Sequence, residues 1–238
     1  MRSTSRSVTV AEVLELLEEL APSELAVEGD EVGLVKGSPE ENVQAVEVHL
    51  DPGPDAGGPG VLVVSHHPVP EPVLERIGSP VVVWHSNWDA AAAVEALAEA
   101  LGLEHVRKPH RLAAAGRFEG DVDDLLRTVR WALNPPELRV AGPREGRVEE
   151  VLVVSGFGLS DPRFVELAHD VGADALVSGD MTHRTALLAR VLGVTCVDAT
   201  HAATEIPGLE RLASELDSDL PVPVSLVRPE HPVEGLRI

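Results

Sequence analysis

His66 and His67 are adjacent, and Pro68 follows them. Neighbouring side chains on an extended strand point to opposite faces, but a proline forces a turn that can bring both rings toward one cavity. Imidazole nitrogens placed this way suit zinc, iron, nickel or manganese. A second group is His201-Ala-Ala-Thr-Glu205. Residues four apart share a helix face, so this imidazole and carboxylate lie side by side if a helix opens at His201. Pro207 limits how far upstream a regular helix can extend, and a tight turn would serve as well. Asp89 stands just past a strand. Its plain role is N-cap of a helix over Ala90–Leu101; its chemical role is a carboxylate whose two oxygens serve two metals. Three histidines and two carboxylates from separate strand ends exceed the needs of one tetrahedral zinc, and suit two metals with positions left for water. Asp180 and His183, in Gly179-Asp180-Met181-Thr182-His183, are the candidates to move a proton.

The elements that must position these groups repeat. In the first half the β-branched run Val61–Ser65 ends in His66-His67-Pro68, and a short helix near Glu71–Ile77 comes next. The run Pro80–Trp84 then ends in His85-Ser86-Asn87-Trp88-Asp89, before the alanine-rich helix closed by Gly102. In the second half Ala175–Ser178 leads to Asp180, and a helix Arg184–Leu192 is closed by Gly193. Val194–Asp198 leads to His201 and Glu205, and a helix spans about Leu209 to Leu216. Strand starts are 19 residues apart in both halves, 61 to 80 and 175 to 194. Each half also opens on an earlier strand, Val43–Leu50 and Val148–Val154. Continuous apolar runs alternating with helices indicate parallel strands buried on both faces, and sites in such sheets lie beyond the carboxyl ends of the strands. The expected fold is α/β: two similar lobes with largely parallel sheets, residues 1–112 and 113–238, and a dinuclear metal site between them.

Several segments fit this frame less well. Asp51–Gly60 is too rich in proline and glycine for the helix that a parallel crossover normally carries. Asn134–Arg147 reads as an irregular connection. The tail offers two short strands, Val222–Val227 and Val233–Ile238. Ser155–Pro162, a glycine-bearing turn before a helix, sits where phosphate loops sit. It lacks both the third glycine of a dinucleotide fingerprint and the GK[ST] of a P-loop. Tight-turn glycines and Ser160 as N-cap explain it better. Cys196 reads as a core thiol and Trp88 as a packing residue. His49, His105, His110, His169 and His231 are unclustered.

Composition narrows the classes. The chain has 238 residues, 44% of them hydrophobic, enough for one large domain or two of about 120 residues. Apolar runs stay far below the ~20 residues that cross a bilayer, and Val10–Leu20 reads as an amphipathic helix rather than a signal peptide. These features lead to the expectation of a cytoplasmic location. One cysteine excludes an internal disulfide. Forty acidic residues face 19 basic ones, for a net charge of −21. Only Lys36 and Lys108 are lysines. A surface so acidic and poor in lysine resembles that of a halophile, where dense salt screens self-repulsion. Nucleic-acid binding, which uses clustered Lys and Arg, is disfavoured.

The motifs resemble those of the NGG-one-interacting-factor-three-like family of dinuclear-metal-centre hexameric proteins. Its members are often named homologues of type 2 GTP cyclohydrolase I. Gly33-Leu34-Val35-Lys36-Gly37 is similar to the family's GL-x-x-G, Ser65-His66-His67-Pro68 to its HHP, and His85-Ser86-Asn87-Trp88-Asp89 to its HT-x-x-D. Ser178-Gly179-Asp180 is similar to TG-E/D, and His201-Ala-Ala-Thr-Glu205 to GH-x-x-[ST]E. Carried over residue by residue, the resemblance implies His66, His67, Asp89, His201 and Glu205 as metal ligands, and a homohexamer. There are departures. Gly29-Asp30-Glu31 stands where the family has WDN, Thr200 replaces the glycine before the metal histidine, and His183 sits early for the family's histidine in that helix. The functional expectation is a metal-dependent hydrolase acting on a nucleotide or similar small molecule, with two divalent ions (Zn, Fe, Mn or Ni) per subunit. The alternative is a non-catalytic metal-binding scaffold or a metal-handling partner protein.

Overall fold

The computed structural model describes residues 7–228. The described chain forms two compact units, one of residues 7–88 with 209–228 and one of residues 89–208.

The first unit is built on a five-stranded sheet in the order Val224–Val227, Ala45–His49, Val61–Ser65, Val81–Val83, Gly33–Lys36. The first four strands run parallel and the last antiparallel. Leu62, Val63, Val64 and all of Val81–Val83 are buried. Both pleat faces are therefore covered, which is why these strands are continuous apolar runs and not alternating ones. Helix Val10–Leu20 begins with a capping box, in which Thr9 accepts from the Glu12 amide while Glu12 accepts from the Thr9 amide. It buries Val10, Val13 and Leu17, one stripe of a 3.6-residue period. The Asp51–Gly60 crossover carries no helix, as its composition implies. It is fastened by side chains instead: Glu47 accepts from the Gly57 amide at 3.1 Å, and Ser79 Oγ accepts from the Gly58 amide at 2.8 Å.

The second unit holds a six-stranded sheet: Glu104–His110, Ala113–Asp121, Arg147–Val153, Ala175–Ser178, Thr195–Asp198, Arg139–Ala141. Its three consecutive strands from Arg147–Val153 to Thr195–Asp198 are parallel, and the other pairings are antiparallel. Each unit thus has a parallel core with antiparallel additions, and the fold is mixed α/β. Helix Val122–Leu133 packs Val122, Leu125, Val129 and Leu133 into the core; helix His183–Leu192 ends on left-handed Gly193.

The structure revises four local expectations. Helical structure before Ala100 begins at Ser86, three residues ahead of Asp89, and passes through a π-helical turn at Asp89–Ala93. Asp89 therefore lies inside the helix and is not its N-cap. Helix His201–Asp219 runs unbroken through Pro207, so the tight-turn alternative falls. Proline removes one amide donor from the ladder, and 19 residues of helix absorb that loss. Pro162, not Ser160, stands at the cap of helix Arg163–Asp170, and Asp161 Oδ1 accepts from the Arg163 amide at 3.0 Å. Within the supposed irregular connection, Arg139–Ala141 is a strand on Thr195–Asp198. Val224–Val227 confirms one tail strand, whereas Val233–Ile238 and His231 lie outside the described residues.

Candidate metal centre

In the first unit, strand Val61–Ser65 continues its ladder past its formal end. The His66 amide donates to the His49 carbonyl at 2.8 Å and the His67 amide to the Leu50 carbonyl at 3.1 Å. Ser65 Oγ donates to the His67 carbonyl at 2.6 Å and tightens the turn. The two rings end with centroids 5.1 Å apart. A third ring joins them: His85, at the end of the neighbouring strand Val81–Val83, lies 5.1 Å from His66 and 5.4 Å from His67. The three residues offer ring nitrogens within 4.8 Å of one another.

Each ring is held by its Nδ1. His66 Nδ1 lies 3.1 Å from the Trp84 carbonyl, His67 Nδ1 2.8 Å from Asp51 Oδ1, and His85 Nδ1 2.8 Å from Asp30 Oδ1. An acceptor at Nδ1 orients the ring and turns Nε2 to its far side, the arrangement that metal-ligating histidines use. Asp30 is itself fixed, accepting from the Ser86 amide at 3.2 Å and from the Ser86 hydroxyl. Burial pushes its carboxyl up, but the hydrogen bonds from Ser86 and His85 outweigh that and hold it below the usual range. Burial, reinforced by the neighbouring His66, lowers the His85 pKa and so favours the neutral ring a metal needs.

The second unit repeats the device. His201 opens helix His201–Asp219, and Glu205 lies one turn on. His201 Nδ1 is 2.6 Å from Asp180 Oδ2, and its Nε2 is 3.1 Å from Glu205 Oε1. Glu205 is 3% exposed. Burial opposes protonation of His201, yet the hydrogen bonds to Asp180 and Glu205 prevail and raise its pKa to about 10. Backbone proximity makes two glycines necessary. A Cβ on Gly156 would stand 2.2 Å from Glu205 Oε1 and 2.9 Å from His201 Nε2, and one on Gly179 would stand 2.5 Å from the His201 amide. Any other residue at either position would displace the donor groups. Asp198, 1% exposed, ties the two polar loops: its carboxylate accepts from the Met181 amide and the Thr200 amide, each at 2.9 Å, and pairs with Arg139.

Of the residues expected to act, His66 and His67 come together in the first unit, and His201 and Glu205 in the second. Asp180 is the hydrogen-bond partner of His201. Asp89 is buried, 5% exposed, at the first position of the π turn. His183 is exposed in the first turn of its helix, behind the Thr182 cap. His85, Asp30 and Asp51 were not singled out as site residues from the sequence. His85 stands within the recognised HSNWD motif and Asp30 at the place of the family's WDN, so both could have been found; Asp51 carries no signal beyond its place after a strand. The Ser155–Pro162 turn is structural: the amides of Gly156, Leu159 and Ser160 donate to Thr204 Oγ1, the Gly179 carbonyl and the Phe157 carbonyl. Cys196 is fully buried, and burial pushes its thiol up to about 12. No helix among the described residues is long and apolar enough to cross a membrane.

The donor set, imidazole nitrogens and carboxylate oxygens with their far sides held, fits a divalent first-row metal. The chain is 40% identical over 218 residues to a Methanothermobacter thermautotrophicus protein named GTP cyclohydrolase 1 type 2 homolog, covering 89% of each chain. A protein of the same name from Methanocaldococcus jannaschii is 30% identical over 233 residues, covering 88% of this chain and 95% of that one. Among solved structures, reduced HcgD from Methanocaldococcus jannaschii superposes with a TM-score of 0.80 at 27% identity, covering 93% of this chain and 98% of that one. A Bacillus cereus protein related to NIF3 reaches 0.83 at 18% identity, covering 98% of this chain and 100% of that one, which shows a shared fold. The profile of the Duf34/NIF3 (NGG1p interacting factor 3) family matches residues 8–78 and 74–230, and the chain belongs to that family.

Proposed function

We propose that the chain is a metal-dependent hydrolase that acts on a nucleotide or similar small molecule and carries a dinuclear centre ligated by His66, His67, Asp89, His201 and Glu205. The observation that carries this reading is the shared treatment of four histidines. Each of His66, His67, His85 and His201 has its Nδ1 held by a carbonyl or carboxylate, which orients the ring so that Nε2 is the nitrogen that would bind. Bound divalent metals supply Lewis acidity that makes water a nucleophile near neutral pH.

The chain's own groups do the rest. Asp30 and Asp51 fix the tautomers of His85 and His67. Asp180 accepts the hydrogen bond from His201 Nδ1 and, being exposed, is one candidate proton carrier; His183 is the second in this reading. The names of the relatives point to a GTP cyclohydrolase-like reaction, in which water adds at C8 of guanine and the imidazole ring opens with release of formate. The test is incubation of metal-loaded protein with GTP in molar KCl. Formate and a ring-opened product are expected; the absence of both overturns the GTP assignment. The reading includes a cytoplasmic homohexamer, and light scattering of the purified protein tests the assembly.

A further inference from the structure

Only Lys36 and Lys108 are lysines, against 17 arginines (19 − 2). Both end on main-chain carbonyls. Lys36 Nζ donates to the carbonyls of Leu74 at 2.7 Å and Ile77 at 2.5 Å. Lys108 Nζ donates to the carbonyl of Ala90 and lies 3.9 Å from Glu95. A compact ammonium with three rotatable donors suits single carbonyls; the planar guanidinium fork is built for carboxylates and phosphates. A chain otherwise served by arginine has therefore kept lysine where main-chain carbonyls must be met.

The carbonyl that Lys108 meets belongs to the π-helical turn Asp89–Ala93. Such turns are rare, and concentrate at functional sites. Nothing in the turn's own sequence asks for one. Ala90 to Ala93 are four alanines, the strongest α-helix formers. A π turn holds one residue more than an α turn, so it rotates the helix on its N-terminal side by about 100° relative to the helix on its C-terminal side. Asp89 is the residue at its start. We infer that Lys108 holds the π turn open and thereby sets the direction of the Asp89 carboxylate. Pro109 confines Lys108 to extended backbone and fixes where its stem leaves strand Glu104–His110. Lys108 is a positioning residue, and the inference rests on the reading of Asp89 as a metal ligand.

Four variants test it: Lys108→Met, Lys108→Arg, deletion of Ala91, and Asp89→Ala. Each is titrated with Co2+, monitored by its visible spectrum, and the metal-free Lys108→Met protein is crystallised. The expected crystal structure has an α turn at residues 89–93. Co2+ affinity should fall about 10–100-fold in Lys108→Met, and Lys108→Arg should not restore it. Deleting Ala91 removes the π turn with Lys108 intact and should give the same loss, which keeps the test open if Lys108→Met does not fold. A lysine of merely structural value would change the melting temperature and leave the Co2+ spectrum alone. A retained π turn in Lys108→Met, or wild-type Co2+ binding by both it and the deletion while Asp89→Ala loses metal, overturns the inference. Wild-type binding by Asp89→Ala instead overturns Asp89 as a ligand, and the crystal structure still decides the role of Lys108.

Discussion

Asp180 Oδ2 lies 2.6 Å from His201 Nδ1, while Glu205 Oε1 lies 3.1 Å from the same ring's Nε2. Without metal, this ring is held as a cation between two carboxylates. In the proposed centre, a metal held by His201 and Glu205 would compete with this proton.

That competition gives the first prediction. The His201 pKa is raised from 6.5 to about 10, so its proton stabilises the metal-free protein fully below the unfolded value, and that contribution is lost as pH rises through about 10. Metal binding at neutral pH should release a proton from His201. Affinity should therefore climb about tenfold per pH unit for one displaced proton up to that value. Isothermal titration in buffers of different ionisation enthalpy measures the release. In Asp180→Asn the released proton and the slope should both shrink; an unchanged slope would contradict the account.

Thr200 gives the second. Its φ is +72°, a left-handed conformation costly for a β-branched residue. Its Oγ1 is buried without a hydrogen-bond partner among the described residues. Thr200→Gly removes both costs against the greater chain entropy of glycine, and the net should be a gain of about 1 kcal/mol. Urea unfolding reads it directly, and a destabilised variant would sink the argument. Glycine is the residue the family resemblance leads one to expect there.

The third concerns charge. With −21 on 238 residues, self-repulsion should be relieved by screening. The melting temperature should rise as KCl increases from tenths of molar to several molar. A flat or falling curve would mean that the acidic surface is not a salt adaptation.

Much of the fold and part of the site were legible in the sequence because they depend on local pattern. The runs at 61–64 and 175–177 are apolar because both sheet faces are covered, and the polar residues from Ser65 and Ser178 on mark the strand ends. His201 and Glu205 are separated by one helical turn, so their proximity comes from spacing alone. Long-range geometry was not legible. Asp51 meets His67 at 2.8 Å across 16 residues of sequence, a pairing that no local spacing announces. The π turn at Asp89 opposes the propensity of the four alanines after it, so propensity reasoning gave a plain α-helix with Asp89 at its cap. Pro207 misled in the opposite sense, since packing holds a helix that local chemistry would break. The hairpin Glu104–His110 with Ala113–Asp121 escaped notice because Arg107, Lys108 and Pro109 interrupt any alternation.

The central claim, a two-metal centre on these five ligands, is tested most directly by anaerobic metal analysis of the purified chain beside Asp89→Ala and Glu205→Gln. The account predicts about two divalent ions per wild-type chain. Asp89→Ala should lose most of both. Glu205→Gln keeps the shape but drops one charge, so it should weaken one ion more than the other. Two ions retained in Asp89→Ala, or no bound metal in the wild-type protein after reconstitution, would contradict it.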